Sequence, residues 1–197
     1  HSGGTDRDRY RGTAVHNTLC LGDADQSKIS GAFNWSRKAR AKRVPMSETT
    51  GGLCAEALHD GYRPLGVEHR RKLALAVPEG YLVVDRLVGR PQDPTLPLRI
   101  RWVLDPTVSA QPVGTRVELR LNGSPLAGIE AELGVVDALD ITGDNPLQIT
   151  VEPMIISPAF GQQVETMALV VELPAGALGD QAVLTRIRIV EHDDGRD

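Results

Sequence analysis

Apolar and polar residues alternate with a period of two along much of the chain, and this is the pattern of half-buried β-strands. It is clearest at 98–104, where Leu98, Ile100 and Trp102 alternate with arginines. Runs rich in Val, Leu and Tyr predict further strands at 74–77, 81–88, 116–121, 147–151, 166–173 and 182–190. The stretch 129–140 fits either a strand or a short helix, and we favour a strand.

Pro and Gly clusters separate these segments and predict turns. Pro78-Glu79-Gly80 lies between two predicted strands and indicates a β-hairpin, and Asn122-Gly123 predicts another turn. No stretch combines a 3.6-residue apolar period with helix caps. Closely spaced strands of this kind predict an all-β sandwich or barrel, a single domain over residues 1–190 with a flexible acidic tail at 191–197.

The charge balance narrows the range of partners. The chain of 197 residues has a net charge of −4, which gives no overall attraction to nucleic acid or an anionic membrane. No apolar run approaches the ~20 residues that cross a bilayer. The two cysteines, Cys20 and Cys54, have apolar neighbours and are expected to be buried free thiols rather than a disulfide.

The densest group of polar side chains lies at 10–18, immediately before the apolar Leu19-Cys20-Leu21. Arg11 suits paired contacts with a carboxylate or sulfate, Asn17 offers an amide donor, and His16 supplies an imidazole that can move a proton. Together they could bind an anionic sugar and act on it. The alternative is that His16 and Asn17 only satisfy backbone groups at the start of a strand near a sheet edge.

Aromatic and basic side chains follow at 31–43. Phe33 and Trp35 could stack on a sugar ring, although packing in the core is the interpretation we favour. The cations of this segment are Arg37, Lys38, Arg40, Lys42 and Arg43. They would bind a polyanion or form the solvated face of a strand, and we favour the second.

A third polar group lies at 59–71. His59-Asp60 could bind a metal or hold a turn, and Gly61 fits a turn with positive φ. His69-Arg70-Arg71 begins the predicted hairpin strand. We favour a structural role for both histidines.

Taken together, these segments resemble the heparinase II/III-like family of polysaccharide lyases. The likeness rests first on Arg11-Gly12-Thr13-Ala14-Val15-His16-Asn17-Thr18, then His59-Asp60-Gly61-Tyr62 and His69-Arg70-Arg71, in this order. It is extended by Asp25-Gln26, Gly31-Ala32-Phe33-Asn34-Trp35, Val83-Val84-Asp85-Arg86-Leu87 and Ser157-Pro158-Ala159-Phe160-Gly161. The matching stretches run from about residue 4 to residue 175.

The resemblance implies a multi-stranded antiparallel β-sandwich of the supersandwich type, preceded in the full enzyme by an α/α toroid. The family's active site lies between these domains. The sandwich contributes the histidine that matches His16, and the toroid contributes a catalytic Tyr and an Asn or His. The chain would then be a C-terminal fragment of a periplasmic or secreted enzyme, inactive alone. Its partners would be the toroid and an acidic polysaccharide, with neither nucleic acid nor a membrane span.

The reaction that the resemblance implies is β-elimination at a uronic acid, in a heparin- or heparan-like chain, alginate or a bacterial exopolysaccharide. A base removes the C5 proton, the neighbouring carboxylate is neutralised, and an acid protonates the leaving oxygen. His16 is the expected catalytic residue, as base or as charge-neutralising donor. The expected substrate-binding residues are Arg11, Asn17, Tyr62 and Trp35.

One departure from the family pattern concerns metal. Some relatives carry H-x-H at this point, and the second histidine helps to bind a structural zinc, but this chain has Thr18 there. We therefore expect no metal and no cofactor. Zinc or calcium at His59 and Asp60 stays open as an alternative.

Three hypotheses predict different structures. A lyase domain should present His16, Arg11 and Tyr62 on one exposed surface. A carbohydrate-binding or structural module without lyase activity should instead bury His16 in hydrogen bonds and carry an aromatic groove elsewhere. A polyanion-binding domain should gather the cations of 37–43 into one continuous basic face.

Overall fold

The computed structural model describes residues 5–44, 53–76, 80–136, 141–159 and 161–190. Strands dominate it: β1 (Leu19–Leu21), β2 (Lys28–Ile29), β3 (Trp35–Arg37), β4 (Ala41–Val44), β5 (Cys54–His59), β6 (Val67–Ala76), β7 (Gly80–Gly89), β8 (Pro97–Val103), β9 (Val108–Val113), β10 (Arg116–Leu121), β11 (Ser124–Val136), β12 (Ile141–Leu147), β13 (Ile149–Ile156), β14 (Val164–Pro174) and β15 (Ala182–Ile189). The helices are α1 (Thr5–Arg11) and single 3₁₀ turns at Thr13–Val15, Arg63–Leu65 and Ala175–Ala177. None of these helices has the length and apolar character needed to cross a membrane.

Two antiparallel sheets of unequal width form the sandwich, which confirms the predicted fold class. The small sheet has the order β1-β8-β14-β13. The large sheet has the order β4-β5-β6-β7-β15-β11-β10-β9, with β12 also paired to β11, and β2 and β3 form a separate hairpin. Because β1 is an edge strand, the residues just before it lie at a border of the sandwich, as the sequence predicted for His16 and Asn17.

The core lies between the two sheets. Leu19, Leu98 and Leu169 of the small sheet form one buried cluster with Val117 and Val183 of the large sheet. Full burial of such a side chain contributes roughly 1.5–3 kcal/mol. The apolar positions of the period-2 pattern therefore mark the strand faces that pack between the two sheets.

Two element boundaries differ from the sequence prediction. The run 147–151 contains the end of β12 and the start of β13, because the chain passes from the large to the small sheet at Gln148. Leu147 and Ile149 both pack on the core, so the apolar run gives no sign of this break. The sequence also missed α1, whose residues Thr5–Arg11 are almost entirely polar and show no apolar face.

Two other predictions lie on residues that the structure does not describe. The central residues of the hairpin turn, Pro78 and Glu79, and the tail 191–197 are outside the described ranges. So is 137–140, although the preceding residues belong to strand β11, as we favoured.

Tyr62 is a core residue, so the expectation that it lies on an exposed surface is wrong. Its side chain is 1% exposed, and its hydroxyl donates to the Leu19 carbonyl at 2.8 Å. Burial raises the pKa of the Tyr62 hydroxyl, so it remains a donor. The preceding Gly61 is required by close packing rather than by the positive φ predicted, since a Cβ there would lie 2.9 Å from the Gln26 backbone.

A directed chain of hydrogen bonds crosses the inner face of the large sheet. The Gly61 N–H donates to His59 Nδ1 at 3.1 Å. This leaves the His59 proton on Nε2, which lies 3.0 Å from His69 Nδ1. His69 in turn donates from Nε2 to Asp85 Oδ1 at 2.6 Å. Both imidazoles are thus fixed in one tautomer, and the chain ends on a buried carboxylate.

We expect the free energy of unfolding to fall as the pH drops from about 6.5 towards 4. Burial, and next the neighbouring His69, lowers the pKa of His59 from 6.5 to about 4. In this window the unfolded chain takes up a proton at His59 that the folded chain does not, so acid favours unfolding. Urea unfolding at neutral pH and inside this window measures the effect. His59→Gln should reduce the dependence, whereas a flat wild-type profile would contradict the account.

Tyr62→Phe should lower the free energy of unfolding by about 1 kcal/mol, because it removes one buried hydrogen bond. Tyr81→Phe is the matched control, since the Tyr81 side chain is 46% exposed and should tolerate the change. Denaturant unfolding of the two variants gives the comparison. Equal stabilities would show that the Tyr62 hydroxyl contributes nothing.

Candidate functional site

The loop that carries His16 connects the 3₁₀ turn Thr13–Val15 to edge strand β1. The His16 side chain is exposed. Among the described residues, no side chain or backbone group hydrogen bonds to its ring. Of the three residues that the lyase hypothesis places on one exposed surface, His16 is exposed, whereas Arg11 is half-buried and Tyr62 is buried. The free ring differs from the buried, hydrogen-bonded histidine of the structural-module hypothesis.

The backbone around His16 is held tightly although the ring is free. The His16 N–H donates to the Thr13 carbonyl at 3.2 Å, and the His16 carbonyl accepts from the Thr18 N–H at 2.9 Å. Asn17 Oδ1 accepts from the Val103 N–H at 2.6 Å, which ties the loop to β8. An exposed imidazole therefore sits on a loop whose main chain has several fixed contacts.

Arg71 links this loop to the large sheet. Its Nε and Nη2 donate to Asp85 Oδ1 and Oδ2 at 2.7 and 2.9 Å. Its Nη1 donates to the Asn17 carbonyl at 2.6 Å. The guanidinium also lies 5.0 Å from the Trp102 ring centre on β8, so Arg71 bridges the two sheets beside the loop.

Asp85 anchors this arrangement at 0% exposure. Burial alone would raise the pKa of its carboxyl, yet the hydrogen bond from His69 and the charge of Arg71 lower it below the ordinary value. The group therefore stays ionised and pairs with the Arg71 cation. Asp85 has no role among the sequence predictions, although a lone acid directly after the apolar run Tyr81-Leu82-Val83-Val84 is a usable signal of a buried charge.

Asp25 and Gln26 support the loop from its other side. Asp25 Oδ1 accepts from the Thr13 N–H at 2.6 Å, and Thr13 Oγ1 accepts from the Gln26 N–H at 2.9 Å. Gln26 Nε2 reaches Thr18 Oγ1 at 3.0 Å. Both residues belong to the family pattern, but the sequence gives no sign of these contacts with the loop.

Arg11 and Trp35 contact each other rather than an open surface. The Arg11 guanidinium lies 4.5 Å from the Trp35 ring centre. Its Nη1 donates to the carbonyls of Gly31 and Ala32 at 3.0 and 3.2 Å, and it pairs with Asp8. Both side chains are half-buried, so the structure gives them a role in holding the β2–β3 hairpin.

The neighbouring Phe33 does not pack in the core as we favoured. Its side chain is 81% exposed, and the Arg7 guanidinium lies 4.5 Å from its ring centre.

The cations of 37–43 do not all belong to one exposed face. Arg37 is half-buried, and its Nη1 donates to the carbonyls of Gln26 and Gly61 at 3.1 and 2.6 Å. Its Nη2 donates to the Asp25 carbonyl at 3.0 Å. Lys38, Arg40, Lys42 and Arg43 are exposed. The basic segment therefore starts with a structural arginine, against the simple polyanion-binding picture.

The residues considered for a metal are engaged elsewhere. Both ring nitrogens of His59 are used by Gly61 and His69, and Asp60 Oδ1 accepts from the Arg40 N–H at 2.7 Å. Thr18 Oγ1 accepts from the Gln26 amide, where some relatives place a second histidine. Within the described ranges, no group of three or more His, Cys, Asp or Glu side chains is arranged to hold a metal ion. The weak alternative of a site at His59 and Asp60 does not fit this geometry.

Both cysteines are free, as the sequence predicted. Cys20 is buried, and burial raises the pKa of its thiol. Cys54 is only half-buried, which corrects the expected burial of both thiols.

Comparison with solved structures finds the same fold in parts of two longer proteins. The chain is 18% identical to a heparan sulfate lyase HepC mutant from Pedobacter heparinus, with a TM-score of 0.62, over 100% of this chain and 30% of that one. A heparinase III gene product with methylated lysines is 13% identical, with a TM-score of 0.63, over 99% of this chain and 27% of that one. At such identities the likeness shows the fold alone, and this chain spans less than a third of either lyase.

Sequence comparison identifies the family. No curated protein sequence matches this chain significantly. The family model described as heparinase II/III-like, C-terminal, matches residues 2–189. Because this match covers almost the whole chain, the protein belongs to the heparinase II/III-like C-terminal domain family.

Proposed function

We propose that this chain is the sandwich domain of a polysaccharide lyase and that His16 takes part in β-elimination at a uronic acid. The observation that carries the proposal is the exposed His16 ring, which is free of partners in the described structure. The His16 main chain is held within its loop by Thr13 and Thr18, and the adjoining Asn17 is tied to β8 and β6. A catalytic imidazole needs both properties, since it must reach the substrate and must do so in one geometry.

The proposed reaction breaks a C4–O bond without water. A base takes the C5 proton of the uronic acid, the electron pair forms the C4–C5 double bond, and the leaving oxygen takes a proton from an acid. His16 can serve as that base or, when protonated, as a donor that neutralises the sugar carboxylate. The remaining groups would come from the rest of the enzyme, since the neighbouring lyases are more than three times as long.

Asn17 is the substrate-binding candidate that the geometry favours. Its Oδ1 is held by the Val103 N–H, which aims the side chain, and its Nδ2 makes no hydrogen bond within the described part of the chain. This amide can therefore donate to a sugar hydroxyl or carboxylate beside His16. Arg11 and Trp35 are proposed to act indirectly through the hairpin that they hold, and Tyr62 has no place at the surface.

The proposed substrate is an acidic polysaccharide that contains uronic acid. A heparan-like chain is the first candidate, because both lyases that share this fold carry heparin- or heparan-related names. Alginate and bacterial exopolysaccharides contain the same acidic C5 centre and belong in the same assay.

His16→Ala in the full-length enzyme should lower the rate of unsaturated-product formation by at least about 10²-fold, since one general acid or base contributes 10²–10⁴-fold. The ultraviolet absorbance of the new double bond measures this rate. Lys42→Gln is the control, because Lys42 is exposed on β4 and belongs to the basic segment of the polyanion-binding alternative. Full activity in the His16 variant would remove that residue from the mechanism.

The chain alone should give no unsaturated product from heparan sulfate, alginate or bacterial exopolysaccharides. It would lack the partner acid or base, whose loss costs about 10²–10⁴-fold, and the second wall of the substrate cleft. The same absorbance assay applies, with the full-length enzyme as positive control. Sustained turnover by the chain alone would show that this domain contains the whole active site.

A further inference from the structure

Each of the three nitrogens of Arg71 already donates to a protein partner. Nε and Nη2 form a paired contact with the Asp85 carboxylate, and Nη1 holds the Asn17 carbonyl. The side chain is 20% exposed, and its carboxylate partner is 0% exposed. These contacts fix the guanidinium from the interior, so its position is set by the core.

Only a guanidinium can make this set of contacts at once. Its donors lie in one plane at fixed angles, so the two that face Asp85 determine the direction of the third. A lysine ammonium is a point charge on a flexible stem and cannot hold both carboxylate oxygens and the Asn17 carbonyl together. The buried carboxylate is itself oriented by His69, and His69 by His59.

The Asn17 carbonyl is one residue from the proposed catalytic His16. Loss of the hydrogen bond from Arg71 to this carbonyl would free the main chain next to the His16 ring. The contacts that remain there are those of Asn17 Oδ1 and of the His16 backbone. A misplacement of about 1 Å can cost 10²-fold in rate. We propose that Arg71 is a positioning residue of the lyase reaction, and that Asp85, His69 and His59 hold it so that His16 keeps its geometry. This inference rests on the function proposed for His16.

A purely structural role for Arg71 would have different consequences. If the ion pair served only to join the sheets, a folded variant would keep the wild-type kcat. A positioning role instead predicts a loss of kcat with little change of KM, together with a loosened backbone at 16–18.

The test compares Arg71→Lys with Arg70→Lys in the full-length enzyme. Arg71→Lys keeps a cation beside Asp85, which favours folding. Arg70 is the neighbouring residue on the opposite face of β6, where it pairs with Glu56, so the same substitution there controls for the loss of an arginine. We expect kcat to fall by about 10²-fold for Arg71→Lys and to stay near wild type for Arg70→Lys. Deuterium uptake over residues 13–21 should rise only in the Arg71 variant.

The outcomes separate this inference from the function on which it rests. If His16→Ala is fully active, the proposed function fails. If His16→Ala is inactive while folded Arg71→Lys keeps the kcat of Arg70→Lys, the positioning role alone is overturned. Should Arg71→Lys not fold, Asp85→Asn replaces it, because it keeps an oxygen acceptor for Arg71 Nε while it removes the charge and the acceptor of Arg71 Nη2. A wild-type kcat in folded Asp85→Asn would equally overturn the inference.

Discussion

The buried carboxylate of Asp85 is the constraint on which the rest of the structure depends. An ionised group without water is strongly destabilising unless it is paired and hydrogen bonded. Arg71 and His69 meet this need, and His59 completes the chain to the turn at Gly61. The third nitrogen of Arg71 donates to the Asn17 carbonyl. The arginine that neutralises the buried Asp85 carboxylate therefore also fixes the surface loop.

The unequal width of the two sheets explains where that loop lies. β1 ends the small sheet, while the large sheet continues through the β4-β5-β6 strands. The residues before β1 therefore lie at the border between the two sheets. There Arg71 of the large sheet contacts Trp102 of the small sheet and the Asn17 carbonyl just before β1. A histidine placed there is exposed, yet the adjoining Asn17 is tied to both sheets. The role proposed for His16 requires both properties.

The fold could be predicted because alternation of apolar residues reports directly which faces are buried, as Leu98 and Ile100 show. The break between β12 and β13 could not be predicted, because Leu147 and Ile149 pack on the same core although they belong to different sheets. The functional role of His16 stays a prediction. His16 stood out as a polar residue before an apolar strand. Tyr62 was misplaced because a tyrosine in a polar motif carries no sign of whether its ring faces inwards. The ion pair of Arg71 and Asp85 was not predicted, because pairing across neighbouring strands depends on the strand register, which the sequence alone does not give.

The most direct test of the account is a crystal structure of the full-length enzyme, inactivated outside this domain, with a uronic-acid oligosaccharide bound. The account predicts a His16 ring nitrogen within about 3 Å of either the C5 carbon or the carboxylate of the reacting sugar, with the Asn17 carbonyl still held by Arg71. A bound oligosaccharide whose reacting sugar lies on another face of the sandwich, out of contact with His16, would contradict it.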